Sequence, residues 1–256
     1  MPLNIEQVTI IGSGNVASFF ANLFQLHGIK IKNIVARNEI KGNALAQRVN
    51  ATFSSVMPTF NENDLVLICV KDDSIASVSQ TINGGLVCHT SGAQSINTLQ
   101  NQNNFGVIYP FQSILTNSSV SEIKFPFFIE ANSVNTFEAI QGFLKGLPVQ
   151  AVSVSSDNRL KYHLSAVFAN NFLNAMLLAA QKICNEHQLD FNYLHPLILQ
   201  SIQQALSFGP KNAQTGPAKR QDVNTMDSHL QLLENNEPLY ELYKVMSGFI
   251  NKEFNS

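Results

Sequence analysis

Close to its N-terminus the chain carries the feature that most restricts how it can fold. A β-branched run, Gln7 to Ile11, breaks into Gly12-Ser13-Gly14-Asn15-Val16-Ala17, after which apolar residues recur at helical spacing at Val16, Phe19, Phe20, Leu23 and Phe24. A G-x-G-x-x-A turn that leaves a strand and opens a helix is a phosphate cradle. Gly12 permits the tight turn, Gly14 lets the backbone approach a pyrophosphate, and Ala17 allows the helix to pack closely on the strand. The helix N-terminus adds free N–H groups and partial positive charge. A dinucleotide is the expected ligand, with Gly12, Ser13, Gly14, Asn15 and Val16 at its diphosphate.

Beyond this unit the chain alternates strands and helices. Strands are expected at 29–36, 65–70, 86–90, 106–109 and 126–130, with helices at 40–49 and 73–81, the latter capped by Asp72 or Asp73. Continuous apolar strands between helices imply a mostly parallel sheet covered on both faces, a doubly wound α/β domain over residues 1–154. From 155 onward the pattern is helical only, with segments near 158–187, 193–208, 222–234 and 238–253 and breakers at Gly209-Pro210 and Gly216-Pro217. The first of these, apolar on most sides, is expected to be the spine of an all-α substrate and dimerisation domain at 155–256 and part of a homodimer interface. A chain of 256 residues has room for two such domains.

Composition narrows the partners. Charged residues make up only 13% and the net charge is −2, with no Lys/Arg run, so neither nucleic acid nor an anionic membrane is an expected partner. Cys69, Cys88 and Cys184 lie in apolar runs without metal-ligand spacing, which points to reduced thiols, no metal and a cytoplasmic protein. No signal peptide or membrane span is readable, because the long apolar stretch from Leu164 to Cys184 is broken by Asn170, Asn171, Asn174, Gln181 and Lys182.

The end of the second strand decides which dinucleotide. NAD-preferring folds commonly place a carboxylate there, whereas this chain reads Val35-Ala36-Arg37-Asn38. A guanidinium suits a 2′-phosphate through charge-assisted hydrogen bonds, with Asn38 as a second donor and Lys41 adding charge, so NADP(H) is expected over NAD(H). Val70 and Lys71, after the next strand, should pass over the ribose and pyrophosphate. His89, Ser91 and Gly92 stand where the nicotinamide should point, although His89 reads equally well as a core histidine bonded to a carbonyl.

Together these residues resemble a known group. The glycine turn at 12–17, Val70-x-Asp72-Asp73, His89-Thr90-Ser91-Gly92, Tyr109-Pro110-Phe111-Gln112, Tyr162-His163 leading to Asn171, and Thr215-Gly216-Pro217 followed by Arg220, Asp222, Thr225 and His229-Leu230 cover nearly the whole chain. The N-terminal half is similar to the NADP-binding domain of the deazaflavin-dependent NADP oxidoreductase and pyrroline-5-carboxylate reductase group. The whole resembles bacterial Rossmann-like proteins that add a helical domain of unknown function, similar to the C-terminal domain of 6-phosphogluconate dehydrogenase. The resemblance implies an NADP-dependent oxidoreductase, usually dimeric, with the helical domain closing the substrate cleft. It does not carry over the acid/base lysine of the β-hydroxyacid dehydrogenases, because Lys161 is followed four residues on by Ser165 and Asn171 is preceded at that distance by Val167.

Hydride transfer needs a group that gives or takes a proton, and histidine titrates in the right range. His163, Asn170 and Asn171 return to one face of a regular helix and would line a cleft, or would satisfy one another. Asp222, Thr225 and His229 likewise share a second face, or Asp222 is only an N-cap and His229 is bonded to Thr225. Arg220 reads as a clamp for an anionic substrate or as a structural ion pair. The expected catalytic set is His163, Asn171, Arg220 and His229, acting on a small carbonyl, imine or hydroxyacid compound. A dinucleotide-binding sensor on the same fold is the alternative.

Overall fold

The computed structural model describes residues 4–115 and 118–255. The chain forms two compact units, Met1–Asn170 and Asn171–Ser256. In chain order the first holds β1 (Gln7–Ile11), α1 (Asn15–Leu26), β2 (Ile31–Val35), α2 (Glu39–Arg48), β3 (Thr52–Ser54), β4 (Asp64–Ile68) and a 3-10 turn (Asp72–Ser74) running into α3 (Ile75–Ser79). Then come β5 (Leu86–His89), a 3-10 turn (Ile96–Leu99), β6 (Asn104–Pro110), β7 (Pro126–Ala131), α4 (Val134–Leu144), β8 (Gln150–Ser153) and α5 (Ser156–Ala166).

Eight strands make one sheet in the order β3-β2-β1-β4-β5-β6-β7-β8. Every pairing is parallel except β6 with β7. The strand order reverses between β1 and β4, and in such sheets ligands lie outside the carboxyl ends of the strands at that reversal. All of β4 and β5 is buried, because both faces of the sheet are covered. One face carries the larger core, built on Phe19, Phe20, Leu23 and Phe24 of α1 with Phe127 and Ile129 of β7. The other carries a smaller cluster around Ile11, Val66, Ile68, Ile75 and Val87.

The expected helix at 73–81 is shorter. A 3-10 turn precedes it, Lys71 occupies the first cap position without a side-chain bond, and neither Asp72 nor Asp73 caps it. Sequence patterning also misses β3, α4 and β8. α4 starts at a clear signal, with the Ser133 hydroxyl accepting from the Thr136 N–H.

The first compact unit runs past residue 154 to Asn170 and so includes α5. The reason is a buried polar tie. Arg159 of α5 is fully buried, ion-paired with Glu130 of β7 and donating to the Gln94 carbonyl, while Ser156 donates to Glu130 through both backbone and hydroxyl.

Helix then continues through a π-helical stretch, Val167–Phe172, into the second unit: α6 (Leu173–Glu186), a 3-10 turn (Phe191–Leu194), α7 (His195–Phe208), α8 (Pro210–Ala213), α9 (Pro217–Arg220), α10 (Val223–Leu232) and α11 (Glu237–Asn255). Both Gly-Pro breakers turn out to be helix starts. Gly209 and Gly216 take positive φ, and each proline occupies the first turn of α8 or α9. The apolar spine expected from 158–187 is not buried within the chain. Among the residues of α5 and α6 only Arg159 and Cys184 are buried, and Leu164, Phe168, Phe172 and Leu178 are exposed. The π stretch also replaces i→i+4 by i→i+5 bonding, so the regular angular count that placed His163 with Asn170 and Asn171 does not carry across it. No helix among the described residues is long and apolar enough to cross a membrane.

Candidate active site

The β1–α1 turn is shaped by the backbone opposite it. Gly12 has φ +126°, and a Cβ there would sit 2.2 Å from the Cys69 carbonyl oxygen. Glycine is therefore demanded twice, by conformation and by space. Gly14 is different: a Cβ built on it meets nothing within 4 Å, so it faces open space. Gly14 is also the N-cap of α1, which has no side-chain cap and no acidic residue in its first turn, leaving the N–H groups there for an incoming anion. Ala17 is fully buried between helix and sheet.

From this turn a cleft of about 750 Å³ runs along the carboxyl ends of β1, β2 and β4. Gly12, Ser13 and Gly14 line one part, Arg37, Asn38 and Lys41 another, and Val70 and Lys71 the wall between β4 and α3. Arg37 is exposed and, among the described residues, forms no ion pair. The Asn38 side-chain oxygen accepts from the Lys41 N–H at 2.9 Å, capping α2 and leaving the amide NH₂ to donate elsewhere. Asn15 and Val16 behave differently at the side-chain level. Asn15 donates to the Ile114 carbonyl at 3.3 Å, and Val16 packs on the larger core, so both would meet a diphosphate through backbone N–H.

His89 lies in the core. It is fully buried, and its Nδ1 accepts from the Ser91 N–H at 3.1 Å. Burial, and then the Arg159 charge, pushes its pKa down to about 4, against a backbone hydrogen bond at Ser95 and then the Glu130 charge. With that pKa the ring is neutral at pH 7. Ser91 is buried too, its hydroxyl accepting from the Ala93 and Gln94 N–H groups and so shaping the loop. A histidine whose folded pKa lies below the ordinary 6.5 contributes stability in full above about pH 6.5 and loses it as pH falls towards 4. The gap corresponds to about 3 kcal/mol at most. Urea melts over that range should show wild type losing stability that His89→Leu does not lose; parallel curves would clear His89 of the effect.

Gly92 opens a second polar centre. A Cβ there would lie 2.6 Å from Tyr109 Cζ and 2.8 Å from His163 Nδ1, so glycine alone lets these two side chains meet, with Tyr109 Oη 3.3 Å from His163 Nδ1. Phe111, Phe128 and Tyr162 pack around them, Phe111 stacked on Phe128 at 4.7 Å. Burial, and then Asp72, raises the Tyr109 pKa, so its phenol holds its proton.

Sequence reasoning gives Tyr109 no role and misses Arg159 and Glu130 altogether. A usable signal is there, because Arg159 and His163 stand at i,i+4 on one helix.

In the second unit, Asp222 caps α10, its carboxylate accepting from the Thr225 N–H at 3.2 Å and hydroxyl at 2.8 Å. Those bonds, then Arg220 and His229, hold its pKa below the usual carboxylate range. The cap reading of Asp222 is therefore satisfied geometrically. His229 bonds not to Thr225 but to Tyr243, Nδ1 to Oη at 2.9 Å, with the rings edge to face. Arg220 is exposed at the end of α9, and Asn171 is exposed in the π stretch. All three cysteines are buried and free, and burial raises the Cys69 thiol to about 12, which makes it unreactive. No cluster of His, Cys, Asp or Glu fit to hold a metal ion occurs among the described residues.

A mostly parallel doubly wound sheet with a glycine turn opening on a cleft at its strand reversal, followed by a helical unit, defines a Rossmann-type protein. Residues 7–88 match the family described as NADP oxidoreductase coenzyme F420-dependent, and residues 125–250 match a domain of unknown function, DUF2520. These two stretches are thus similar to an NADP oxidoreductase domain and to a DUF2520 domain. Among solved structures it is similar to a Bacteroides fragilis protein provisionally named an NADP oxidoreductase, at 29% identity and TM-score 0.88, over 97% of this chain and 98% of that one. It is also similar to a reductive aminase from Aspergillus terreus in complex with NADPH and ethyl-5-oxohexanoate, at 16% identity and TM-score 0.70, over 98% and 96% of the two chains. Similarity to 1-pyrroline-5-carboxylate reductase from Streptococcus pyogenes is 13% with TM-score 0.57, over 96% and 98%. At such identities the last two likenesses speak to the fold alone. No curated protein matches the chain.

Proposed function

We propose that the chain is an NADP(H)-dependent oxidoreductase acting on a small carbonyl, imine or hydroxyacid compound. The observation that carries this reading is the single cleft that runs from the open space at Gly14 and the uncapped start of α1 to the exposed guanidinium of Arg37. Backbone N–H groups of residues 13–16 would hold the diphosphate. Arg37, with Asn38 and Lys41, would take the 2′-phosphate, and Val70 and Lys71 would wall the ribose. When bound, the dinucleotide supplies or accepts the hydride.

The protein's own part is to position and to move a proton. His163 is the proton-transfer candidate in the first unit, held against Tyr109. In the second unit Arg220 would orient an anionic substrate, His229 would serve proton transfer, and Asn171 would donate to substrate. The reading is supported by the family model that residues 7–88 match and by the likeness to the Bacteroides fragilis protein provisionally named an NADP oxidoreductase. A homodimer belongs to it, because the second unit leaves Leu197, Leu199, Leu206 and Phe208 exposed.

Calorimetry with NADPH and NADH tests the cofactor assignment directly. A charge-assisted contact worth about 1.5–3 kcal/mol predicts NADPH bound about 10- to 100-fold more tightly, with the preference gone in Arg37→Ala. Equal affinities for the two cofactors in wild type would sink the assignment.

A further inference from the structure

We infer that Tyr109 is the acid of the reaction, the group that touches the substrate oxygen or nitrogen, with His163 as the relay that restores its proton. The inference rests on the reductase reading above and gives a role to a residue outside the expected catalytic set.

Placement comes first. β1, β4, β5 and β6 are successive parallel neighbours, so their carboxyl ends share one edge of the sheet. Gly12 follows β1, Asp72 follows β4, Gly92 follows β5, and Tyr109 is the penultimate residue of β6. Tyr109 therefore stands on the edge where a ligand entering at the strand reversal ends, on the side away from Arg37.

Chemistry comes second. Tyr109 is only half-buried, keeps its proton at neutral pH, and has His163 Nδ1 3.3 Å from its oxygen. With the imidazole in its Nδ1–H tautomer, His163 donates to the phenol oxygen and the phenol O–H is left to point at substrate. In a reduction the hydride adds to the carbonyl or imine carbon and the phenol proton passes to its oxygen or nitrogen, while the dinucleotide leaves oxidised. As the ring takes a proton from solvent at Nε2 it passes its Nδ1 proton to the phenolate so formed, and exchange with solvent then restores the Nδ1–H tautomer. Phe111, Phe128 and Tyr162 form an apolar aromatic shelf beside the phenol, suited to a substrate with a hydrocarbon body.

Tyr109→Phe keeps the ring and removes only the acid. With NADPH and a panel of ketones, keto acids and cyclic imines, it should lower kcat about 10²- to 10⁴-fold while leaving the NADPH Kd and thermal midpoint as in wild type. In the protein without substrate, nitrogen NMR should find the His163 Nδ1 protonated, with its resonance displaced in Tyr109→Phe. Turnover that survives Tyr109→Phe overturns the role of Tyr109 alone, as does an Nδ1 resonance that the substitution leaves in place. Wild-type protein that oxidises NADPH with no member of the panel overturns both this assignment and the reductase reading; failure to bind NADPH at all removes the cofactor assignment first.

Discussion

Gly12→Ala should abolish NADPH binding and destabilise the fold by about 3 kcal/mol or more. Alanine there must adopt φ +126° and place its methyl 2.2 Å from the Cys69 carbonyl oxygen. The strained φ alone costs about 1–3 kcal/mol, and forcing an extra carbon into packed backbone a similar amount. Neither partner can yield cheaply. The Gly12 N–H donates to the Val35 carbonyl and the Cys69 N–H to the Ile11 carbonyl, so relief by backbone shift would break the β1 pairings that aim the turn. Urea melts and calorimetry check the two halves separately. A variant with wild-type stability and wild-type Kd would mean that the turn is neither tight nor used.

The second large effect concerns a charge. Glu130→Ala should cost about 3–5 kcal/mol, because it leaves the fully buried Arg159 guanidinium without its counter-ion. It also strands the Ser156 N–H and hydroxyl that donate to that carboxylate. Replacing both partners by apolar residues, Glu130→Leu with Arg159→Met, should recover most of the loss, since a pair removed together leaves no charge behind. A single-variant cost below about 1 kcal/mol in denaturant titrations would mark the pair as no stronger than an exposed one.

How much of the fold and site is legible in the sequence depends on how local each signal is. The glycine turn, Arg37 and Lys71 are readable because each stands where a strand ends, and strand ends announce themselves by the loss of apolar run. The sheet's outermost strands are not. β3 has three residues and β8 is Gln150-Ala151-Val152-Ser153, half polar and partly exposed, so neither shows the continuous hydrophobicity of β4 or β5. The segment 158–187 is helical as its periodicity predicts but is not a buried spine, since apolar periodicity says which residues prefer cover and not what covers them.

The second polar centre is out of reach for a different reason. Tyr109 and His163 are 54 residues apart, and Glu130 and Arg159 are 29 apart, so only the folded sheet brings each pair together. His89 shows the converse. A polar residue at the end of an apolar strand looks like a site residue, and only its burial and the Ser91 N–H at its Nδ1 make it part of the core.

The crosswise row Ile11, Ile68, His89, Val107 and Glu130 runs over five strands in register, and its last step crosses the one antiparallel pairing. A slip of one residue between β6 and β7 would turn Glu130 towards the opposite layer, where Ile108, Phe127 and Ile129 pack, and would leave Arg159 facing hydrocarbon. Mispaired chains would thus carry two stranded charges, so the carboxylate proofreads the one strand junction whose alternation no parallel crossover dictates.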